Sequence, residues 1–202
     1  MGHNQRVRTN LFTVNRLEVS SLMLGGDTLV SQGKRGVLGD EVVRRKLAGE
    51  VIVEELILPG IEVDITDTGG VNGGYGAHSL LTLPDSMLVL VGIYLDLELV
   101  AATGITATAA VAVALGSDAE ATGSTLTGTS ADYIASANCT LVASEGDIQS
   151  TGPAAPELVN ASAGTEEIFL NFGVPDAAIS ANSKITVSGK VRLVYIDLSQ
   201  EA

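Results

Sequence analysis

The sequence predicts an all-β fold, an antiparallel sandwich of jelly-roll or Greek-key type with an extended N-terminal arm. Three observations predict it. First, apolar residues recur at every second position: Ile93, Leu95, Leu97 and Leu99 alternate with Tyr94, Asp96 and Glu98, and Ile185, Val187, Val191, Leu193 and Tyr195 alternate with Thr186, Ser188, Lys190 and Arg192. That period of two belongs to a strand with one buried face, because a helix would scatter the same residues around its circumference. Second, Ala, Val, Leu, Thr, Ser and Gly dominate while aromatic residues make up 3% of the chain, which suits flat β surfaces joined by small-residue turns. Third, glycine and proline punctuate the chain at strand-length intervals, giving roughly eight to ten strands, few helices and no repeat period.

A chain of 202 residues suits one main β domain, here residues 36–202, preceded by an arm over residues 1–35. The arm is polar and basic, with short apolar patches at Leu11 to Val14, Leu17 to Leu24 and Thr28 to Val30. A short helix is expected over Glu41 to Ala48, with Asp40 as its cap, Glu41 in the first turn, basic residues later and Gly49 as a stop. Val51 to Leu58 reads as a strand ended by Pro59-Gly60, and Ile61 to Ile65 as a second, ended by the glycine-rich Gly69 to Gly76. The clear strand from Ser86 to Leu99 leads into an uncharged window, Leu99 to Ser117. Thr103, Gly104, Thr106, Thr108 and Gly116 interrupt that window, which therefore reads as strand, turn and strand rather than a membrane span. Ser117 to Ser130 is a turn-rich surface connection, followed by a helical turn at Ala131 to Ala135, a short strand at Cys139 to Ala143 and an irregular stretch through Pro153, Pro156 and Gly164. Glu166 to Val174 is a strand stopped by Pro175, and Lys184 to Leu198 closes the domain, with Gly189 as a candidate bulge.

The net charge of −13 conceals an asymmetry. Residues 1–50 carry eight Lys/Arg against five Asp/Glu, a balance of +3, whereas residues 51–202 carry three against nineteen, a balance of −16. So acidic a body is repelled by phosphates, which argues against nucleic acid as a partner. The basic residues of the first segment, Arg6, Arg8 and Arg16 in the arm and Arg44, Arg45 and Lys46 beyond it, are candidates for contact with an acidic protein surface. No export or lipid signal is expected at the N-terminus, nor a membrane partner. The single cysteine, Cys139, excludes an intrachain disulfide and reads as a small buried residue rather than a nucleophile.

Little in the sequence points to chemistry. His3 and His78 are the only histidines, so neither a histidine-based triad nor a histidine-rich metal site assembles from them. Gly69 to Gly76 resembles a phosphate loop only in glycine content, since no Gly-Lys-Ser/Thr follows. Asp64 and Asp67 are candidate Ca²⁺ ligands without EF-hand spacing. Tyr75, Tyr94 and Tyr133 are the candidate stacking platforms for a sugar, in a chain with no tryptophan. The expectation is a protein that is not an enzyme and holds no cofactor or metal.

Several stretches carry a family resemblance: Gly69 to Ser79, Leu83-Pro84-Asp85, the strand Leu88 to Leu99, Thr125 to Ile134, and Leu170-Asn-Phe-Gly-Val-Pro-Asp176. Together these look like structural proteins of tailed bacteriophages and resemble capsid decoration, or cement, proteins over residues 69–198. The resemblance implies a jelly-roll-like body that docks on the outer face of an icosahedral shell. It further implies partners in the major capsid protein and in its own copies, as dimer or trimer, an arm that ties neighbouring subunits, and a place on the virion surface after assembly in the host cytoplasm. The alternative is a receptor- or glycan-binding module of a tail fibre or adhesin, which requires exposed aromatic side chains.

Overall fold

A computed structural model of the chain describes residues 23–24, 27–28, 37–38, 43–47, 51–101, 103–106, 109–141, 145–163 and 165–198. The chain divides into two compact units, Met1–Gln32 and Gly33–Ala202. In the first, β1 (Met23–Leu24) and β2 (Asp27–Thr28) form an antiparallel pair. The second holds β3 (Val37–Leu38), β4 (Val43–Leu47), β5 (Ile52–Asp67), β6 (Gly74–Thr82), β7 (Met87–Ala101), β8 (Ala110–Gly116), β9 (Ile134–Thr140), β10 (Glu145–Gly152), β11 (Glu157–Asn160), β12 (Glu167–Val174) and β13 (Ser183–Asp197).

The alternation of β13 sets the frame. Ile185, Val187, Val191, Leu193 and Tyr195 are all buried at 0% exposure, and β13 lies between β5 and β7, antiparallel to both. Each flanking strand carries one residue more than β13 needs. In β5, Val187 faces Ile61 and Ser188 faces Pro59, so Gly60, at φ +97°, is the bulged residue. The bulge flips the inward parity of β5, which is even over Ile52, Leu56 and Leu58 and odd over Ile61, Val63 and Ile65. Pro59-Gly60 therefore does not separate two strands; it bends one of 16 residues. In β7 the register shift falls at Val91, and the parity changes from Leu88 and Leu90 to Ile93, Leu95, Leu97 and Leu99. The bulge is thus in β5 rather than at Gly189.

Strand order within the sheets is β10-β7-β13-β5 and β6-β12-β8-β9, joined where the end of β5 pairs with the start of β6. The pairs β5–β13, β6–β12, β7–β10 and β8–β9 are all antiparallel. A long ribbon running out through β5 to β8 and back through β9 to β13 has been wrapped so that its two halves stack, which is the jelly-roll arrangement of two Greek keys. The inner faces share one core, with Leu56, Leu95 and Leu193 from one sheet and Val111, Leu170 and Phe172 from the other, all 1% exposed or less. Each such side chain contributes roughly 1.5–3 kcal/mol of burial, before the entropy of ordering it.

Four local expectations are corrected. The helix expected over Glu41 to Ala48 is overturned in its described part: Val43–Leu47 is a strand paired with β5, and the flanking residues lie outside the described ones. Ala131 to Ala135 is not a helical turn; the single 3₁₀ turn here is Gly128–Ser130, and β9 begins at Ile134. The strand expected to begin at Cys139 begins at Ile134 and includes Cys139 and Thr140, while Val142 and Ala143 lie outside the described residues. The stretch read as irregular contains β10 and β11, both laid against β7 and separated by the Pro153 to Pro156 excursion.

Candidate interaction surface

The outer faces of the two sheets differ. Over the β6-β12-β8-β9 sheet, residues 117–133 fold back and cover it. Asn171, at 0% exposure on β12, anchors this cover: its Nδ2 donates to the carbonyls of Asp118 and Ser130, and its Oδ1 accepts from the Glu120 amide, each at 2.9 Å. The approach is close because glycines line the sheet beneath; a Cβ on Gly173 would sit 2.1 Å from the Ser124 carbonyl oxygen. The far end of the cover is held by Ser124, whose amide donates to Asn72 in the β5–β6 turn at 2.8 Å. Burial pushes the Glu120 carboxyl up, but hydrogen bonds from the Thr122 hydroxyl and amide, with others from Ser130 and Gly123, hold it below the usual carboxylate range.

Tyr133 closes the cover. Its ring is 3% exposed and its hydroxyl donates to Glu166 Oε1 at 2.9 Å. Burial first, and then the bond and negative charge of Glu166, push the hydroxyl well above the ordinary tyrosine range. A raised folded-state value means stability that is fully present below the unfolded tyrosine value, about pH 10, and is lost as pH rises beyond it. Tyr133→Phe is therefore expected to cost about 1 kcal/mol at pH 7 and to give a shallower loss of urea midpoint between pH 9 and 11 than the wild type. An unchanged alkaline slope would show that Tyr133 does not contribute to it.

The outer face of the β10-β7-β13-β5 sheet has no such cover among the described residues. Residues 51–202 contain three cations, Lys184, Lys190 and Arg192, all at even positions of β13 and hence on this face. Carboxylates of the flanking strands meet them: Arg192 to Glu55 at 2.7 Å, Lys184 to Glu62 at 2.6 Å and Asp64 at 3.8 Å, and Lys190 to Asp96 at 3.6 Å. Pairs involving Lys184 are exposed and worth little, whereas Glu55 is 8% exposed and its bond to Arg192 is better sheltered. Beyond Arg192 the face turns apolar. Leu158, Val89 and Ile196 lie in one row across β11, β7 and β13, and Val194 faces Val53 in the next. Two hollows mark the same face: one of about 480 Å³ at Gly189, bordered by Ile57, Asp96, Gln149 and Lys190, and one of about 300 Å³ at Gly92, bordered by Tyr94, Pro153, Arg192 and Val194.

No protein-family model, curated protein or solved structure matches the chain.

The sequence candidates distribute as follows. Arg6, Arg8 and Arg16 lie outside the described residues. Arg44, Arg45 and Lys46 stand on β4, where the register sets them opposite Leu56, Glu55 and Glu54. Glu54 is buried on the inner face at 0% exposure and accepts from the Tyr195 hydroxyl at 3.1 Å. His78 is half-buried on β6 opposite Leu170, and no group of three or more metal-ligating side chains that could hold an ion occurs among the described residues. Gly69 to Gly73 form the tight β5–β6 turn, in which the Thr68 amide and hydroxyl both donate to the Gly73 carbonyl, and Gly74 to Gly76 open β6. Asp64 faces Lys184 and Asp67 Oδ1 accepts from the Gly69 amide at 2.9 Å, so the two carboxylates serve separate partners. Cys139 is buried opposite Val111. Of the tyrosines, Tyr133 and Tyr195 are buried and offer no platform, while Tyr75 and Tyr94 are half-buried.

What the sequence reasoning missed is the clustering of the body's cations on one strand face. The signal was present, since Lys184, Lys190 and Arg192 share parity within one alternating segment.

Proposed function

We propose that this protein is a structural virion component that decorates and stabilises the outer face of a phage capsid, binding the major capsid protein and its own copies. The observation that carries this reading is the charge split on a jelly-roll body: a balance of −16 over residues 51–202 against +3 over residues 1–50. An acidic body is repelled by packaged DNA and suits the outside of a shell, while a basic N-terminal segment suits an acidic capsid surface. Many copies each making a modest contact hold a shell by avidity rather than by one tight bond. Burial of Tyr133 and Tyr195 weakens the glycan-binding alternative, which needs exposed rings.

The test is co-sedimentation with heads of the phage that encodes the protein, with the copy ratio to the major shell protein measured on gels. Full-length protein is expected to pellet with heads at a fixed ratio. Removal of residues 1–35, or combined replacement of Arg6, Arg8 and Arg16 by serine, is expected to reduce coating at least tenfold. Coating by the truncated protein at the full ratio would refute a role for the arm, and failure of the full-length protein to bind heads would refute the reading.

A further inference from the structure

We propose that Asn72 in the β5–β6 turn is a site of self-modification. The Gly73 amide nitrogen closes on the Asn72 side-chain amide, ammonia leaves, and the ring opens to aspartate or isoaspartate, the latter releasing the far end of the 117–133 cover. Among the asparagines of the chain, Asn72 alone precedes a glycine. A glycine puts no side chain beside the attacking nitrogen and leaves the backbone there free to swing.

The fold keeps this pair together and within reach of solvent. Gly73 stands at φ +67°, and a Cβ there would lie 2.2 Å from the Val174 carbonyl oxygen and 2.8 Å from the Asp176 amide nitrogen, so the turn demands glycine. Asn72 ends the 3₁₀ turn Gly70–Asn72 and is exposed, as is Val71 at 93%. No hydrogen bond among the described residues holds the Asn72 side-chain amide. The Gly73 amide that must turn toward it donates to the Gly70 carbonyl at 3.4 Å, longer than the about 2.7–3.2 Å of a well-formed bond.

The reaction balances with water alone. Hydroxide removes the Gly73 amide proton, the nitrogen forms a bond to Asn72 Cγ, and the Cγ–Nδ2 bond breaks with that nitrogen leaving as ammonia. Water then adds to one of the two ring carbonyls. Opening at Cγ restores the peptide and leaves aspartate. Opening at the former main-chain carbonyl breaks that peptide bond and routes the chain through Cγ as isoaspartate. In this second product the Asn72 carbonyl, which accepts from the Ser124 amide at 2.8 Å, has become a free carboxylate on a backbone one carbon longer. The contact has no slack to absorb the change, since a Cβ on Gly123 would stand 2.9 Å from that same oxygen. The cover therefore loses its far attachment while Asn171 keeps the other.

The full chain is incubated at 37 °C at pH 7 and pH 9, and in parallel in urea, then digested for mass spectrometry. A gain of about 1 Da is expected on the peptide holding Asn72, faster at pH 9, with isoaspartate among the products. Asn72→Gln, whose longer side chain must close a six-membered ring, is expected to slow the conversion at least about tenfold. Folded chains carrying isoaspartate are expected to exchange amides around Ser124 at least about tenfold faster than unconverted ones. Asn72→Asp adds the charge on an unaltered backbone and is expected to exchange at the wild-type rate. A native chain that stays unmodified at Asn72 while the chain in urea converts overturns the proposal. Wild-type exchange in the isoaspartate product, or equally fast exchange in Asn72→Asp, overturns the release of the cover.

Discussion

Gly189→Val is expected to destabilise the body by at least about 3 kcal/mol and to lower its melting temperature by about 10 °C. Gly189 lies mid-strand at φ +124°, a conformation that side-chain-bearing residues rarely adopt. A Cβ there would stand 2.3 Å from the Asp96 carbonyl oxygen and 2.9 Å from the Leu97 Cα. Both atoms belong to the backbone of β7, which β13 and β10 hold from either side, so neither can move without breaking ladder hydrogen bonds. Gly60 provides the control. It is also left-handed, at φ +97°, but its Cβ would find Ser188 Oγ at an ordinary 3.7 Å, so Gly60→Ala carries the backbone strain without the collision and should cost about a third as much. A Gly189→Val melt within 2 °C of wild type would contradict the crowding.

The second large effect is expected at Asn171. Asn171→Ala leaves two carbonyls and one amide without their partner at a fully buried position, at about 1–3 kcal/mol for each group that cannot reach water. The combined cost should be about 3–5 kcal/mol, and amides of residues 117–133 should exchange far faster, because the cover has lost its anchor. Asn171→Asp should be worse near neutral pH, since it turns an acceptor toward two carbonyl oxygens. Burial and those oxygens raise the introduced carboxyl's folded-state pKa, so its penalty should shrink as pH falls and the acid form regains a donor. Exchange of residues 117–133 at the wild-type rate in both variants would show that the cover is held by other contacts.

These two sites show what a linear reading catches. The alternation of Ile93 to Leu99 and of Ile185 to Tyr195 was legible because half-buried strands enforce a period of two, whatever their neighbours. Gly189 was legible as unusual, but not its role, since the requirement for glycine comes from Asp96 and Leu97 on another strand. Asn171 stands between Leu170 and Phe172 like any outward polar residue of a strand. Only the return of residues 117–133 onto that face makes it a buried anchor. Arg44-Arg45-Lys46 suited a helix end by local charge, and pairing with β5 overrode it. β10 has few branched or aromatic residues, with Ile148 as its one buried apolar anchor, and is a strand because the edge of β7 offers a ladder.

The sequence by itself determined the all-β class, the inward faces of β7, β12 and β13, and the separation of a basic N-terminal segment from an acidic body, because alternation and charge are properties of the chain alone. The tertiary structure decided the strand order, the bulges at Gly60 and Val91, the covering of the β6-β12-β8-β9 outer face by residues 117–133, and the gathering of Lys184, Lys190 and Arg192 against Glu62, Asp96 and Glu55. Those depend on pairings between residues far apart in the chain, such as Glu55 with Arg192, 137 positions away, and no local preference encodes which distant strand will lie alongside.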